Sequence, residues 1–160
     1  MIEKIGMPIS PEKTLESLNI ILPSVPKPAG QYQPAGLVGN MLYLSGQGPR
    51  SEDGQFITGT LGNDLTVQEG YLAGRNVGLQ ILAVAKDVLG DLSRIDSVVK
   101  LFGMVNASDS FVDHAKVVNG CSDLLVEVLG ERGYHTRSVM GANSLPFNMI
   151  LQVDAIFSIK

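Results

Sequence analysis

The sequence has few of the residues that build covalent or metal-held scaffolds. Its 160 residues include one cysteine, Cys121, and two histidines. A single cysteine cannot form an internal disulfide, and it supplies neither a zinc cluster nor a redox pair. We therefore expect a fold that depends on its hydrophobic core, without disulfides or a structural metal.

Long hydrophobic runs are also missing. Glycine, aspartate or lysine interrupts the longest apolar stretches within about ten residues, whereas a helix that spans a bilayer needs about 20. The first ten residues, MIEKIGMPIS, contain an acid and a proline where a secretory signal needs a basic start and then an apolar run. The sequence therefore predicts a cytoplasmic protein.

Positive charge is scarce. Twelve lysines and arginines stand against sixteen acids, which gives a net charge of −4, and no three basic residues are adjacent. Binding to a phosphate backbone normally depends on a dense basic patch. Nucleic acid is therefore not an expected partner.

The remaining composition is typical of one globular domain. The chain is 44% hydrophobic and 18% charged, which is far from a disordered composition. A chain of this length suits one core rather than two. The 18 glycines predict many tight turns or close backbone approaches.

Periodicity and turn signals predict an α+β order. The predicted elements are, in chain order, a short helix over 10–20, an extended connector over 21–34, two strands within 35–47, a loop over 49–63, a long helix from Thr66 to about Leu89, a strand over 95–105, a helix from Ser110 to about Leu129, and two strands over 136–143 and 149–158. We write this order as β-β-β-α-β-α-β-β, with the third strand left open.

Capping residues and apolar patterns support these elements. Ser10 and Ser110 can cap helix starts, and Thr66 with Glu69 fits a capping box. In the long helix, four leucines predict one apolar stripe, and Gly78 between them predicts close packing on a sheet. These leucines are Leu72, Leu79, Leu82 and Leu89. Apolar residues on both parities of 95–105 predict a strand covered on both faces.

Common catalytic motifs are absent. The sequence has no P-loop, no GxSxG elbow, no HExxH and no CxxC pair. His114 lies beside Asp113 and near Lys116, which predicts a solvated surface side chain. Cys121 lies in the middle of the second helix, which predicts a small buried hydrophobe rather than a nucleophile.

Two segments could carry chemistry. Arg137 lies in GYHTRSVMG, residues 133–141, which otherwise predicts a strand of small and apolar side chains. An arginine there either forms a salt bridge or grips a ligand carboxylate bidentately, and the residues alone leave both open. SGQGP, residues 45–49, ends a strand with glycines that allow close approach of a ligand or form a bulge.

Four segments, in this order, resemble the Rid (reactive intermediate deaminase) family, also called the YjgF or L-PSP endoribonuclease family. They are PAGQYQPAGLVGNMLYLSGQGP at 28–49, DLSRIDSVVKLFGMVN at 91–106, KVVNGCSDLL at 116–125 and TRSVMGANSLPFNMILQVDAI at 136–156. The resemblance predicts a Rid-like domain over 28–160. Residues 1–27 then form an N-terminal extension with a short helix, which suggests a divergent subgroup.

The resemblance implies a chorismate-mutase-like subunit, in which a mixed sheet packs against two helices. It also implies a barrel-like homotrimer with small-molecule pockets between its subunits. The best-known members hydrolyse reactive enamines and imines, such as 2-aminoacrylate, to 2-oxo acids and ammonia, and they need no metal or organic cofactor. The expected partners are a small carboxylate ligand and further copies of the chain.

The same resemblance assigns site residues. The family arginine that binds the substrate carboxylate falls on Arg137, and the family glutamate that positions the attacking water falls on Gln152. The remaining positions are predicted to bind substrate, and they are Tyr32, Ser45, Gly46, Gln47 and Asn119.

Gln152 departs from the family pattern. Glutamine can hold a water but cannot accept its proton, and general-base help is typically worth about 10²–10⁴ in rate. Asp154 has the same strand parity, but it matches a different family acid and is not expected to replace the glutamate. The deaminase hypothesis therefore stands beside a non-catalytic trimer that binds small carboxylates or 2-oxo acids. RNA cleavage, the older family label, is disfavoured by the acidic charge.

Overall fold

The computed structural model describes residues 10–160, which form one mixed five-stranded sheet with two long helices. The helices and strands are α1 Pro11–Ser17, β1 Ala35–Val38, β2 Met41–Gln47, α2 Val67–Leu89, β3 Ile95–Asn106, α3 His114–Leu129, β4 Thr136–Ala142 and β5 Leu151–Ile159. The strand order is β1-β2-β5-β3-β4. Only β3 and β4 pair in parallel.

The predicted α+β fold is confirmed, but the predicted order contained one strand too many. Between β2 and α2 the described chain has isolated bridges instead of a third strand, at Arg50 with Phe56, Thr58 with Met149 and Leu61 with Leu65. Glycine and polar residues dominate this segment, so no continuous ladder forms.

Two of the three predicted helix caps are confirmed. The Ser10 hydroxyl accepts a hydrogen bond from the Lys13 amide at 3.3 Å, and Thr66 and Glu69 form the reciprocal capping box. The Ser110 prediction is wrong, because α3 begins at His114 with Asp113 at the N-cap position.

The delayed start of α3 has a local cause. The Phe111 amide donates to the Ser108 carbonyl at 3.0 Å, and the Ser108 amide donates to the Leu61 carbonyl at 2.9 Å. These bonds fold the segment before α3 into a turn tied to the neighbouring loop. Ser110 lies in that turn and cannot cap the helix.

Glycines bring α2 and α3 into close contact. A Cβ at Gly120 would overlap the Tyr71 carbonyl oxygen, and one at Gly78 would come within 2.8 Å of Leu124. The predicted packing of Gly78 on the sheet is therefore wrong, because it packs on α3. The predicted stripe also fails at Leu72, which is 55% exposed, whereas Val77 is fully buried.

The sheet is covered by helices on one face only. Leu101 and Val105 of β3 are fully buried under the helices, whereas Phe102 and Met104, on the other side of the strand, are partly exposed. The prediction that this strand is covered on both faces is therefore wrong within one chain. We call the other side the open face, and its apolar residues are Tyr43, Phe102, Met104, Met140 and Ile156.

Helix α1 is docked onto the rest of the chain. Its Leu15 is 5% exposed and belongs to the main core. Its Glu12 carboxylate accepts a hydrogen bond from the Leu92 amide at 2.6 Å. The short N-terminal helix predicted from the sequence is therefore confirmed.

No helix among residues 10–160 is long and apolar enough to cross a bilayer.

Gly120→Ala should strongly destabilise the fold, because its methyl group would push against backbone atoms of α2. We expect the free energy of unfolding to fall by about 2–3 kcal/mol, as for other overpacked cores. Denaturant titration followed by circular dichroism measures this change.

Gly36→Ala is the matched control, because a Cβ at Gly36 meets no atom within 4 Å. It should change stability by less than about 1 kcal/mol. Equal stability of the two variants would show that α2 and α3 are not in close backbone contact.

Candidate functional site

A pocket of about 350 Å³ lies where β2 ends. We call it the strand-end pocket. It is lined by Pro26, Lys27, Pro28, Ala29, Tyr32, Pro34, Ser45, Gly46, Gln47, Gly48, Arg50, Phe56, Val84, Pro146, Phe147, Met149 and Gln152. Five of the residues predicted from the sequence line this one pocket, at positions 32, 45, 46, 47 and 152.

A β-bulge shapes the wall of the pocket. Leu44 pairs with Ala155 while Gln47 pairs with Val153, so β2 carries one more residue than β5 over this interval. The Ser45 hydroxyl donates to the Gln33 carbonyl at 2.6 Å. This bond ties the strand end to the proline-rich connector that carries Tyr32.

Gln152 lies directly against the backbone of the strand end. A Cβ at Gly46 would overlap the Gln152 side-chain amide. A glycine is therefore required at position 46 for the amide to occupy this place. The amide of Gln152 lines the pocket, where it offers one acceptor and two donors to a ligand or a water.

Among residues 10–160, the lining of the pocket offers no side chain that is a ready general base. None of these lining residues is aspartate, glutamate, histidine or cysteine. Asp154 lies on the same sheet face as Gln152 but does not line the pocket. Burial raises the pKa of the Asp154 carboxyl above its usual value. Proton transfer inside the pocket would therefore need water or the ligand itself.

Arg137 lies in a second group of polar side chains, which we call the arginine cluster: Arg137, Asn119, Ser122 and His135. The Arg137 Nη1 donates to Asn119 Oδ1 and to Ser122 Oγ, both at 2.9 Å. Arg137 forms no ion pair with an acid of residues 10–160. The described residues therefore give no support to the alternative that Arg137 forms a structural salt bridge.

The hydrogen-bond partners of this cluster determine which atoms carry its protons. His135 Nδ1 lies 2.7 Å from the Gly133 carbonyl oxygen, which can only accept, so Nδ1 carries the hydrogen. In a neutral imidazole Nε2 is then an acceptor, and it receives the Ser122 hydroxyl at 2.9 Å. Ser122 in turn accepts from Arg137. Both Nη1 hydrogens are used, and the Nη2 side of the guanidinium is left to meet a ligand.

The environment keeps His135 neutral. Burial lowers the pKa of His135, and the nearby Arg137 charge lowers it further, against the Gly133 hydrogen bond, which raises it. Cys121 is fully buried, and burial raises the pKa of its thiol to about 12. The thiol is therefore protonated at neutral pH, as a structural role requires.

His135 and Ser122 were missed by the sequence analysis. His135 precedes Arg137 by two residues, so strand periodicity places both side chains on the same side. Helix periodicity places Ser122 one turn after Asn119. His114, which was expected to be solvated, is partly buried and packs edge-on against Phe111, with ring centroids 5.2 Å apart.

The strand-end pocket and the arginine cluster are separate within one chain. Arg137 pairs with Leu101 on the helix-covered face, whereas Gln152 pairs with Met104 on the open face. The two residues are two strands apart, about 10 Å across the sheet, and three residues apart in register, about 10 Å along it. A three- or four-carbon acid cannot contact both in one chain.

Several known proteins are similar to this chain in sequence or in fold. Protein TCP17 of Trypanosoma cruzi is 42% identical over 147 residues, 91% of this chain and 92% of that protein. A Shewanella oneidensis MR-1 crystal structure, named a "putative endoribonuclease", is 36% identical with a TM-score of 0.91, covering 94% of this chain and all of that chain. Agrobacterium tumefaciens protein Atu1372, "with unknown function", is 39% identical with a TM-score of 0.86, covering 94% of both chains.

A family model described as "YjgF/chorismate_mutase-like, putative endoribonuclease" matches residues 12–158. The chain belongs to this family. The predicted Rid, or YjgF, membership and the chorismate-mutase-like fold are confirmed.

Metal-binding clusters are not found in the described part of this YjgF-family chain. Among residues 10–160, no three His, Cys, Asp or Glu side chains are arranged to hold an ion. The polar groups that the predicted site residues offer include the guanidinium of Arg137, the amides of Asn119 and Gln152, and the strand-end backbone.

His135→Gln should reduce the loss of stability in mild acid. The pKa of His135 is lower in the folded chain than the unfolded value of about 6.5, so the unfolded chain binds the proton more readily. The stability that the neutral ring confers is therefore present above about pH 6.5, the unfolded pKa, and it is lost as the pH falls below that value.

The free energy of unfolding should therefore fall more between about pH 7.5 and pH 5 in the wild type than in His135→Gln. Urea titrations at several pH values measure this difference. Parallel curves for the two proteins would contradict a neutral, buried His135.

Proposed function

We propose that this YjgF-family chain hydrolyses reactive enamines and imines of amino acids to 2-oxo acids and ammonia. In this proposal the reaction takes place where the strand-end pocket of one copy meets the arginine cluster of another. The observation that carries the proposal is the separation of Arg137 from Gln152 in one chain, together with the family membership.

A second copy would complete the site, and two surface features support its presence. The open face carries apolar side chains although no helix covers it, beside polar ones such as Lys100 and Asp154, and Tyr43 and Met140 are 46% and 51% exposed there. Strand β4, which carries Arg137, is an edge strand of the sheet. Exposed apolar patches and strand edges are typical places for association. We propose the homotrimer of the family as the assembly that covers them.

The chemistry needs one water for each ammonia released. The enamine first takes a proton on carbon while its nitrogen loses one, and it becomes an imine. Water adds to the imine carbon and forms a C–O bond, while the nitrogen takes up a proton. The C–N bond then breaks, ammonia leaves, and the oxygen loses its proton as the 2-oxo acid forms.

Each residue has a distinct role in this reaction. The guanidinium of Arg137 holds the substrate carboxylate. Hydrogen bonds to Asn119 and Ser122 keep the guanidinium in place. The strand-end backbone at 45–47 and Tyr32 form the pocket wall. Gln152 orients the water by hydrogen bonds. Since glutamine accepts no proton, the proton passes to the leaving nitrogen, and turnover should be slow.

Ammonia and 2-oxo acid release from 2-aminoacrylate and 2-iminobutyrate, generated in situ, tests this function. The wild type should accelerate release above the uncatalysed rate. Arg137→Ala should lower kcat/KM by about 100-fold or more, because two charge-assisted hydrogen bonds to the carboxylate are lost.

Arg132→Ala serves as the control, because Arg132 bonds main-chain carbonyls of Ser93 and Ile95 and lines no part of the site. It should retain kcat/KM. Undiminished turnover by Arg137→Ala would refute the assignment of the carboxylate-binding residue.

Gln152→Glu should raise the rate of imine hydrolysis. The new carboxylate could accept the proton of the attacking water, and such help is typically worth about 10²–10⁴. We expect at least a tenfold rise in kcat above the pKa of the new glutamate. An unchanged kcat would show that position 152 does not contact the reacting water.

The second candidate is a non-catalytic binder of small carboxylates or 2-oxo acids. The absence of Asp, Glu and His from the described pocket lining favours it. Binding of 2-oxobutyrate without any imine hydrolysis by the wild type would support the binder over the deaminase.

RNA cleavage has less support than either. Neither described histidine lines the strand-end pocket, and His135 is held neutral by burial. The net charge of −4 also opposes association with a phosphate backbone.

A further inference from the structure

The strand-end pocket contains positive charge, and its described lining contains no acid. Arg50 and Lys27 line it, and no aspartate or glutamate of residues 10–160 does, although acids outnumber bases in the whole chain. Arg50 forms no ion pair with any acid of residues 10–160. Its Nη1 donates to the Gly54 carbonyl at 2.6 Å, so most of its five N–H groups are left for another acceptor.

The guanidinium of Arg50 is held in one orientation by aromatic rings. Its central carbon lies 3.8 Å from the centroid of the Phe56 ring. The Phe56 ring stacks on Phe147, with centroids 5.1 Å apart and planes at 21°. Planar stacking restricts the rotation of an arginine side chain and leaves its N–H edges for hydrogen bonding.

Phe147 occupies this stack at a cost in backbone energy. Its φ is 57°, in the left-handed region that bulky residues seldom adopt. The side chain is 64% exposed, so burial offsets little of that cost. The next residue, Asn148, also has positive φ, and its Oδ1 accepts from the buried Asn106 at 3.0 Å. Strain that is held in place by a buried polar contact is typical of a functional position.

We propose that Arg50 is a second anion-binding residue of the strand-end pocket, and that the ligand is an acid with a negative group at each end, such as a dicarboxylic 2-imino or 2-oxo acid. This inference rests on the proposed function, in which Arg137 of a neighbouring copy holds the first carboxylate. At about 350 Å³ in one chain, the pocket has room for a five-carbon dicarboxylate as well as for a three-carbon acid.

Calorimetric titration with 2-oxoglutarate and 2-oxobutyrate tests the inference. The wild type should bind 2-oxoglutarate at least about tenfold more tightly, because the second carboxylate gains charge-assisted hydrogen bonds. Arg50→Gln should remove this preference and leave the affinity for 2-oxobutyrate unchanged. In Phe147→Asn, the asparagine tolerates the positive φ but the stacked ring is lost. This variant should lose part of the preference for 2-oxoglutarate.

Arg94→Gln is the control for net charge, because Arg94 is exposed and lies outside the pocket lining. It should keep the full preference. Equal affinity of the wild type for the two acids would overturn the inference, and so would an equal loss of both in Arg50→Gln. If the wild type still binds 2-oxobutyrate in an Arg137-dependent manner and hydrolyses imines, the proposed function stands although the inference about Arg50 fails. If neither acid binds the wild type, the inference and the proposed site both fail.

Discussion

Close packing between α2 and α3 determines the layout of the molecule. Gly74, Gly78 and Gly120 let the two helix backbones approach, since a Cβ at any of them would press on the other helix. The helices therefore lie side by side on one face of the sheet and leave the other face open. Arg137 is on the covered face and Gln152 is on the open face. Strand register therefore places the two groups that the proposed function combines on opposite faces of one chain.

The two halves offer complementary chemistry. The arginine cluster presents a guanidinium whose position is set by Asn119 and Ser122, and His135 stays neutral beside it. The strand-end pocket presents amide and main-chain groups together with the basic side chains of Lys27 and Arg50, and among residues 10–160 its lining has no carboxylate or imidazole. The arginine cluster can therefore hold one carboxylate, while the pocket can hold the reacting group, a water and a further negative group. At position 152, where the family resemblance predicts a glutamate, this chain has a glutamine, which cannot accept a proton.

Local signals in the sequence were sufficient for most of the fold. The Thr66–Glu69 box and the proline-rich connector each depend on residues close in sequence, and the structure has them as predicted. Errors arose where packing between distant elements decided the outcome. Leu72 fits a helical stripe, yet the glycines turn another face of α2 inward. The start of α3 depends on a bond between Ser108 and Leu61 that no local pattern contains.

Residue patterns alone singled out Arg137 and the segment 45–49, but their assignment to one site required the family resemblance, because the site residues are scattered from 32 to 152. The resemblance led to the residues of the strand-end pocket and to Arg137, but it could not indicate that they lie on opposite faces of one chain. It also could not indicate His135, Ser122 or the stack under Arg50, since these contacts depend on side chains brought together by folding. The assignment of substrate roles to the resemblance-derived residues stays a prediction.

Mixed assemblies test the central claim, that each site combines two copies of the chain. Arg137→Ala chains would be refolded together with Gly46→Val chains, in which the added side chain displaces Gln152, and binding of 2-oxobutyrate would be measured by calorimetry. Each variant alone should fail to bind. The mixture should recover about a quarter of the wild-type sites, because random assembly pairs an intact pocket with an intact arginine that often. No recovery in a mixture that has assembled would contradict a site shared between copies.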